Sequence, residues 1–474
     1  MKSQSPCSDP HQQAAWIAYA RTEWYQHLAG GFPGLIAKLG YTDSDHFNKA
    51  MHTCMSSSAE EMMHRILQPE IAPTITAREL AAAFYIRRCD FLGLSPQEHS
   101  QYCRAVASHL PTNSPWHSYA IYLECLRVSH QGSSEHVQEL IESRIDSTQR
   151  EASGVISIWL DSLSRYVIGN AALIAGDFKS SHRELSEALR NAKGLDFNCA
   201  TSIQFRLAQL YRESGQHDKA LRMWFDEPTR ATLRSNEDWA RLATAHLNAA
   251  QCALDAKITD VAHTELESSH ALMPLVASYA PRLLGYQYLR EGELATLEER
   301  YEDGESRLRE ALDFFRELTP PCYEGLMETK IALGSYALYQ NDLRMAWTII
   351  RSLIEEAGEK NCLPMRSRAL LLQSWFFISS DPPTRQSFDN VLERIHMIQN
   401  PALMMHALGN LLSYAVQNLE EHDQAHLLQR IRRLKSVLED SCYEKLYQEH
   451  VADRFAPAME ERLDRLFQKE QQES

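Results

Sequence analysis

Residues with the spacing of metal ligands occur in this chain without the company a metal site needs. Glu61–His64 and Glu393–His396 each form an E-x-x-H pair. That spacing puts a carboxylate and an imidazole on one helix face, as in helical di-iron sites, where two further Glu come from other helices. Here the two pairs lie over 300 residues apart. His422 and His426, at i and i+4, fit a solvated helix face equally well. There is no H-E-x-x-H, no paired Cys/His zinc spacing and no local signature of an activated nucleophile. Phosphate-binding loops are missing too. The nearest stretch, Gly31 to Lys38, has Ala37 where the loop needs a glycine before its lysine. The expectation is a protein that is not an enzyme, with no cofactor, no catalytic residues and no metal. One dense basic run, Arg430-Ile431-Arg432-Arg433-Leu434-Lys435, reads as the wet side of a helix or a contact for an acidic partner.

The elements that would position any site repeat along the chain. Small residues recur as Gly169, Ala208, Ala250, Gly292 and Gly334, at spacings of 39, 42, 42 and 42. Twelve positions after each stands a second row, Ser181, Ala220, Ala262, Gly304 and Ala346. Seven further on, a third reads Ala188, Glu227, Ser269, Ala311 and Leu353. The sharpest unit, Arg165 to Leu189, divides into two amphipathic helices at the turn Gly176-Asp177-Phe178. A small residue is needed where antiparallel helices cross closely and where one pair stacks on the next. A single helical hairpin cannot bury its apolar face, so such pairs stack into a continuous, curved array.

The small-residue rows, Tyr211 and the turn residues Phe178, Tyr301 and Leu343 resemble the tetratricopeptide repeat. The period departs from that family, whose repeat is 34 residues. Longer helices or connections absorb the excess, as in regulatory members of the superfamily that bind signalling peptides. The resemblance implies an all-α, right-handed superhelix (a solenoid) of stacked antiparallel helix pairs, the first helix of each lining a concave groove. The position after the first small residue then points inward, giving Asn170, Gln209, Gln251, Glu293, Ser335 and Asn410. Tyr166, Phe205, Arg212, Tyr286, Tyr339 and Tyr414 fall nearby. Carboxamides along a groove pair with the N–H and C=O of an extended peptide, and aromatics and Arg anchor interfaces. Solvent-facing helix positions are polar in any soluble protein, so polarity alone assigns these residues no ligand.

Composition narrows the partners. The chain is 44% hydrophobic and 23% charged, with a net charge of −15. Nucleic acid and anionic membranes are held by basic surfaces, which this balance opposes. The first residues, M-K-S-Q-S-P-C-S-D-P, lack the apolar core of a signal peptide, and no apolar run reaches the 18 residues of a membrane span. Ten cysteines are scattered without C-x-x-C pairs, which fits small buried side chains in a reducing compartment. A cytoplasmic protein is expected.

Near the amino terminus, L-G-Y-T-D-S-D-H-F-N-K-A is similar to the second helix-turn-helix of AraC-type transcription factors, with Gly40, Tyr41 and Phe47 matching. Its would-be recognition helix opens with Asp43 and Asp45, which phosphates repel. Residues 1–70 hold five Lys/Arg against seven Asp/Glu. The layout expected is an N-terminal helical cap over 1–75, containing this degenerate helix-turn-helix at 30–68. A repeat array follows over 76–440, and capping helices over 441–474. The function expected is a scaffold whose groove takes another protein or an extended peptide. The alternative is a peptide-responsive transcription regulator that reads DNA through 30–68.

Overall fold

A computed structural model describes the chain between residues 100 and 411, apart from short stretches such as 109–114, 145–154, 193–198 and 381–384. The expected cap over 1–75, Glu61–His64, His396, Asn410, Tyr414, His422, His426, the basic run 430–435 and the terminal helices over 441–474 lie outside the described residues. The described part contains helices and turns and no strand. In chain order the helices are α1 (Pro115–Val128), α2 (Ser134–Arg144), α3 (Val155–Ala175), α4 (Phe178–Ala192), α5 (Cys199–Glu213), α6 (His217–Trp224) and α7 (Glu227–Ser235). They continue as α8 (Trp239–Asp255), α9 (Thr259–Val276), α10 (Arg282–Leu297), α11 (Tyr301–Glu317), α12 (Tyr323–Tyr339), α13 (Leu343–Glu359), α14 (Leu363–Ser380) and α15 (Arg385–Ile395). Consecutive antiparallel pairs form α3/α4, α5/α6, α8/α9, α10/α11, α12/α13 and α14/α15, each packed on the next.

Five of these pairs, α3/α4 to α12/α13, owe their tight reversal to one motif. Gly176, Gly215, Lys257, Glu299 and Asn341 each have φ between 55° and 80°, in the left-handed region. Each stands seven residues after its unit's first small position. Its N–H bonds the carbonyl three residues back, and the next N–H reaches five back, as in Gly176→Leu173 at 3.0 Å and Asp177→Ala172 at 2.9 Å. This double closure satisfies the last carbonyls of the first helix and turns the chain into the second.

The small-residue rows are packing positions. Gly169, Ala208, Ala250, Gly292 and Gly334 are all buried, as are Ser181, Ala220, Ala262, Gly304 and Ala346. A Cβ on Gly169 would lie 2.8 Å from Leu185 Cγ on α4, and one on Gly292 would lie 2.8 Å from Leu308 Cγ on α11. The same role recurs where pairs stack. Phe315 of α11, fully buried, fills the space left by Gly285 on α10 and Gly325 on α12. The core is continuous from unit to unit, with Tyr286 packed against the clusters on both sides of it.

The third row holds at Ala188, Ser269, Ala311 and Leu353, all fully buried, and breaks at Glu227. There α6 stops at Trp224 and Asp226 caps a new short helix, its Oδ2 accepting from the Thr229 N–H at 3.1 Å. Glu227 is therefore the first residue of α7, exposed to solvent, not a packing position in α6. Pro228 suits this first turn, where its missing N–H has no intrahelical partner to lose. The extra helix is tied down by a buried charge cluster. Arg230 on α7 donates to Glu265 on α9 at 2.7 and 3.3 Å and to the Trp224 carbonyl at 2.7 Å. His246 Nδ1 on α8 meets the same carboxylate at 2.9 Å.

Candidate functional site

The first helices of successive pairs, α3, α5, α8, α10, α12 and α14, line one side of the array and surround a cavity of about 390 Å3. Its floor is apolar, with Leu173, Leu247, Leu283 and Met365, and its walls carry most of the charge. The lining follows the 42-residue period. Arg206, Asn248 and Arg290 form one row, and Thr244, Tyr286 and Glu328 a second. Along α8, positions 244, 248 and 251 share a face because they are spaced by four and three residues. On α10, positions 286, 290 and 293 do the same.

The expected inward positions divide. Gln209, Arg212 and Gln251 line the cavity. Gln209 is engaged on its own helix, accepting from Arg206 Nη1 at 2.6 Å and donating to Glu213 Oε1 at 2.7 Å. Arg212 bridges to the next unit, donating to Gln251 Oε1 and lying 3.5 Å from Asp255 Oδ2. Glu293 stands beside the lining and accepts from Arg290 Nη1 at 2.8 Å. Burial pushes its carboxyl above the usual range despite that partner. Ser335, half-buried, and Tyr339, 69% exposed at the end of α12, are outside the lining.

Asn170 requires a correction. It is fully buried, and its Nδ2 donates to Ser129 Oγ at 2.8 Å. Ser129 directly follows α1, which packs on α3 and closes the position that later units leave open. Asn170 thus joins two helices and does not face a groove. Of the neighbouring aromatics, Tyr286 lines the cavity, its ring 5.1 Å from Phe315, and burial pushes its hydroxyl well above the usual range. Phe205 packs on Trp224 with ring centroids 4.8 Å apart, and Tyr166 sits against the first core cluster.

Sequence reasoning did not single out Asn248, Arg206, Arg282, Arg290 or Arg368, all of which line the cavity. The signal was present one helical turn before the expected positions. Arg206, Asn248 and Arg290 each precede Gln209, Gln251 or Glu293 by three residues. Asn248 makes no hydrogen bond among the described residues, and neither does the amide nitrogen of Gln251, so both offer groups to a ligand.

Electrostatically the cavity is a mesh of arginines and glutamates. Arg290 joins α10 to α12 through Glu328 at 2.7 Å, and Arg282 approaches Glu324 at 3.9 Å. Burial alone would raise the Glu328 carboxyl, but the Arg290 and Arg368 guanidiniums outweigh it and hold that group below its usual range. The Cys362 thiol at the cavity edge is pushed up to about 11 by burial, which leaves it a poor nucleophile. Among the described residues no three His, Cys, Asp or Glu converge as a metal site would require. No described helix is long and apolar enough to cross a membrane.

No family model and no curated protein matches the sequence. Among solved structures, a Rap protein complexed with competence and sporulation factor superposes with a TM-score of 0.54 at 13% sequence identity. The match covers 76% of this chain and 98% of that one. The chain therefore has the tetratricopeptide-like fold of that protein, an all-α array of consecutive antiparallel helix pairs.

Proposed function

We propose that this protein is a non-enzymatic binding scaffold whose concave groove takes an extended peptide or a segment of another protein. The observation that carries this reading is the composite cavity. Six successive first helices contribute to it, and it joins an apolar floor to carboxamides with unused hydrogen-bonding groups. Peptide backbone recognition needs such groups, because every N–H and C=O taken from water must be paired again. The Rap protein of the same fold was solved complexed with competence and sporulation factor, which lends support from a structural relative. Repeat arrays make nearest-neighbour contacts, so a ligand touching several units shifts each slightly and relays binding along the chain.

The test is direct. A partner is recovered by crosslinking from the native cell, and its affinity is measured for the parent and for Asn248→Ala/Gln251→Ala. Loss of two hydrogen bonds to the bound backbone weakens binding by about 1–3 kcal/mol. An unchanged affinity in the double variant and in Asn248→Trp, which fills the cavity, would remove the groove from the function. The alternative of a DNA-reading regulator rests on 30–68, outside the described residues. Salt-sensitive duplex binding by the full chain is what it requires.

A further inference from the structure

We propose that the groove selects an acidic extended peptide, whose carboxylates are taken by Arg206 and Arg368. This rests on the peptide-binding reading and adds the charge of the ligand. The chain as a whole carries a net charge of −15, yet five arginines line the cavity against three glutamates. Three of those arginines have carboxylates within 4 Å. Arg212 has Asp255 and Glu213, Arg282 has Glu324, and Arg290 has Glu293 and Glu328.

Arg206 and Arg368 differ. Arg206 makes a single hydrogen bond, to the neutral Gln209, and Arg368 makes none among the described residues. A guanidinium has five N–H donors in a rigid fork that matches a carboxylate. Both therefore present most of their donors to the cavity. Arg206 is on α5 and Arg368 on α14, at the two ends of the run α5, α8, α10, α12 and α14 along the cavity. An extended chain running along the array would meet one cation at each end. Between them lie the carboxamide of Asn248 and the amide nitrogen of Gln251 for its backbone, and the leucines of the floor for apolar side chains.

A single small anion would engage one guanidinium and leave the carboxamides and floor idle. A polynucleotide would need a continuous basic surface, and this chain is acidic overall. Away from bulk water each charge-assisted bond is stronger than on an open surface, so two fixed cations can set the preferred ligand charge.

Affinity selection with a randomised octapeptide library tests this on the full-length protein, followed by mass spectrometry of the retained peptides. The parent is expected to retain peptides enriched in Asp and Glu over the input. Arg206→Gln/Arg368→Gln is expected to lose that enrichment and to bind the retained acidic peptides about tenfold more weakly. A circular-dichroism melt matching the parent shows that the variant is folded. Arg206→Lys/Arg368→Lys keeps the charge, and intermediate enrichment is expected because the bidentate geometry is lost. Retained peptides without acid enrichment, lost when Asn248 and Gln251 are changed to Ala, would overturn this inference and leave the peptide-binding reading standing. Retention of no peptide would overturn both, and preferential retention of a ten-nucleotide single-stranded RNA would overturn the choice of ligand.

Discussion

Arg290 on α10 and Glu328 on α12 meet at 2.7 Å inside the groove, 38 residues apart in sequence and one unit apart in space. Arg212 on α5 and Gln251 on α8 repeat the relationship two units earlier. First helices that line the concave face are thus fastened to one another by side chains a ligand would also touch. A ligand that drew Arg290 or Arg212 away would loosen one unit against the next, and occupancy would then be coupled to curvature.

The Arg290 pair can be weighed by a double-mutant cycle. The Arg290 side chain is 6% exposed, so Arg290→Ala leaves Glu328 in a partly dry cavity without its guanidinium. The expected loss is about 2–3 kcal/mol, less than for a fully buried pair because Glu328 retains some solvent. Arg290→Ala/Glu328→Ala should recover part of this, since only Glu293, whose side chain is 30% exposed, then lacks the guanidinium. Additive single losses in urea unfolding would mean that the two side chains do not depend on each other.

The turns offer a stabilising prediction. Lys257 and Glu299 hold φ values of 58° and 60°, where a Cβ crowds the backbone, while Gly176 and Gly215 occupy the equivalent positions of earlier units. Lys257→Gly and Glu299→Gly should each raise stability by about 0.5–1 kcal/mol, and Gly176→Ala should lower it by a similar amount. Urea midpoints decide the matter, and a drop in stability on Lys257→Gly would contradict it.

These turns also show how far the sequence could be read. Pair packing was legible because it demands tiny side chains, and Gly169, Gly292 and Gly304 advertise that demand directly. The left-handed turn position was legible at Gly176, but not at Lys257, Glu299 or Asn341, where the chain accepts a strained conformer without changing to glycine. The short helix α7 was missed because Glu227 falls in phase with a packing row, and only its Asp226 cap and Pro228 betray a new start. Asn170 has the phase of a groove residue, and its burial depends on α1, a neighbour 41 residues away that no local pattern reports. The cavity arginines went unremarked because an arginine on a helix face is ordinary until the neighbouring helices converge on it.

Phe315 illustrates a contact in which two units depend on one ring. A Cβ on either Gly285 or Gly325 would lie 2.4 Å from Phe315 Cε1, too close for the buried ring to keep its present position. Gly325→Ala should cost about 1–3 kcal/mol from overpacking, and Phe315→Ala about 3–5 kcal/mol from the cavity it leaves. Phe315→Leu combined with Gly325→Ala should be more stable than the sum of the single changes, because the smaller side chain makes room for the methyl. Strict additivity in thermal or urea unfolding would show that the glycine is not there for the ring.

The Glu265 cluster predicts an acid-sensitive element in the fold. Burial alone would raise the Glu265 carboxyl, but hydrogen bonds from His246 and Arg230, with their charges, outweigh it and hold the group below its usual range. A carboxylate whose pKa is lower in the folded than in the unfolded chain stabilises the fold above the unfolded value, about 4.3 for Glu. That contribution is lost as the pH falls through the folded value. Glu265→Gln keeps the shape but cannot hold Arg230 with a charge. Its melting temperature should therefore lie well below the parent's above about pH 5 and approach it below about pH 4. Arg230→Gln should share the behaviour at neutral pH, since it strands Glu265 between α8 and α9 with His246 alone. A gap between parent and Glu265→Gln that widened on acidification would mean that the carboxylate is not the group stabilised by this cluster.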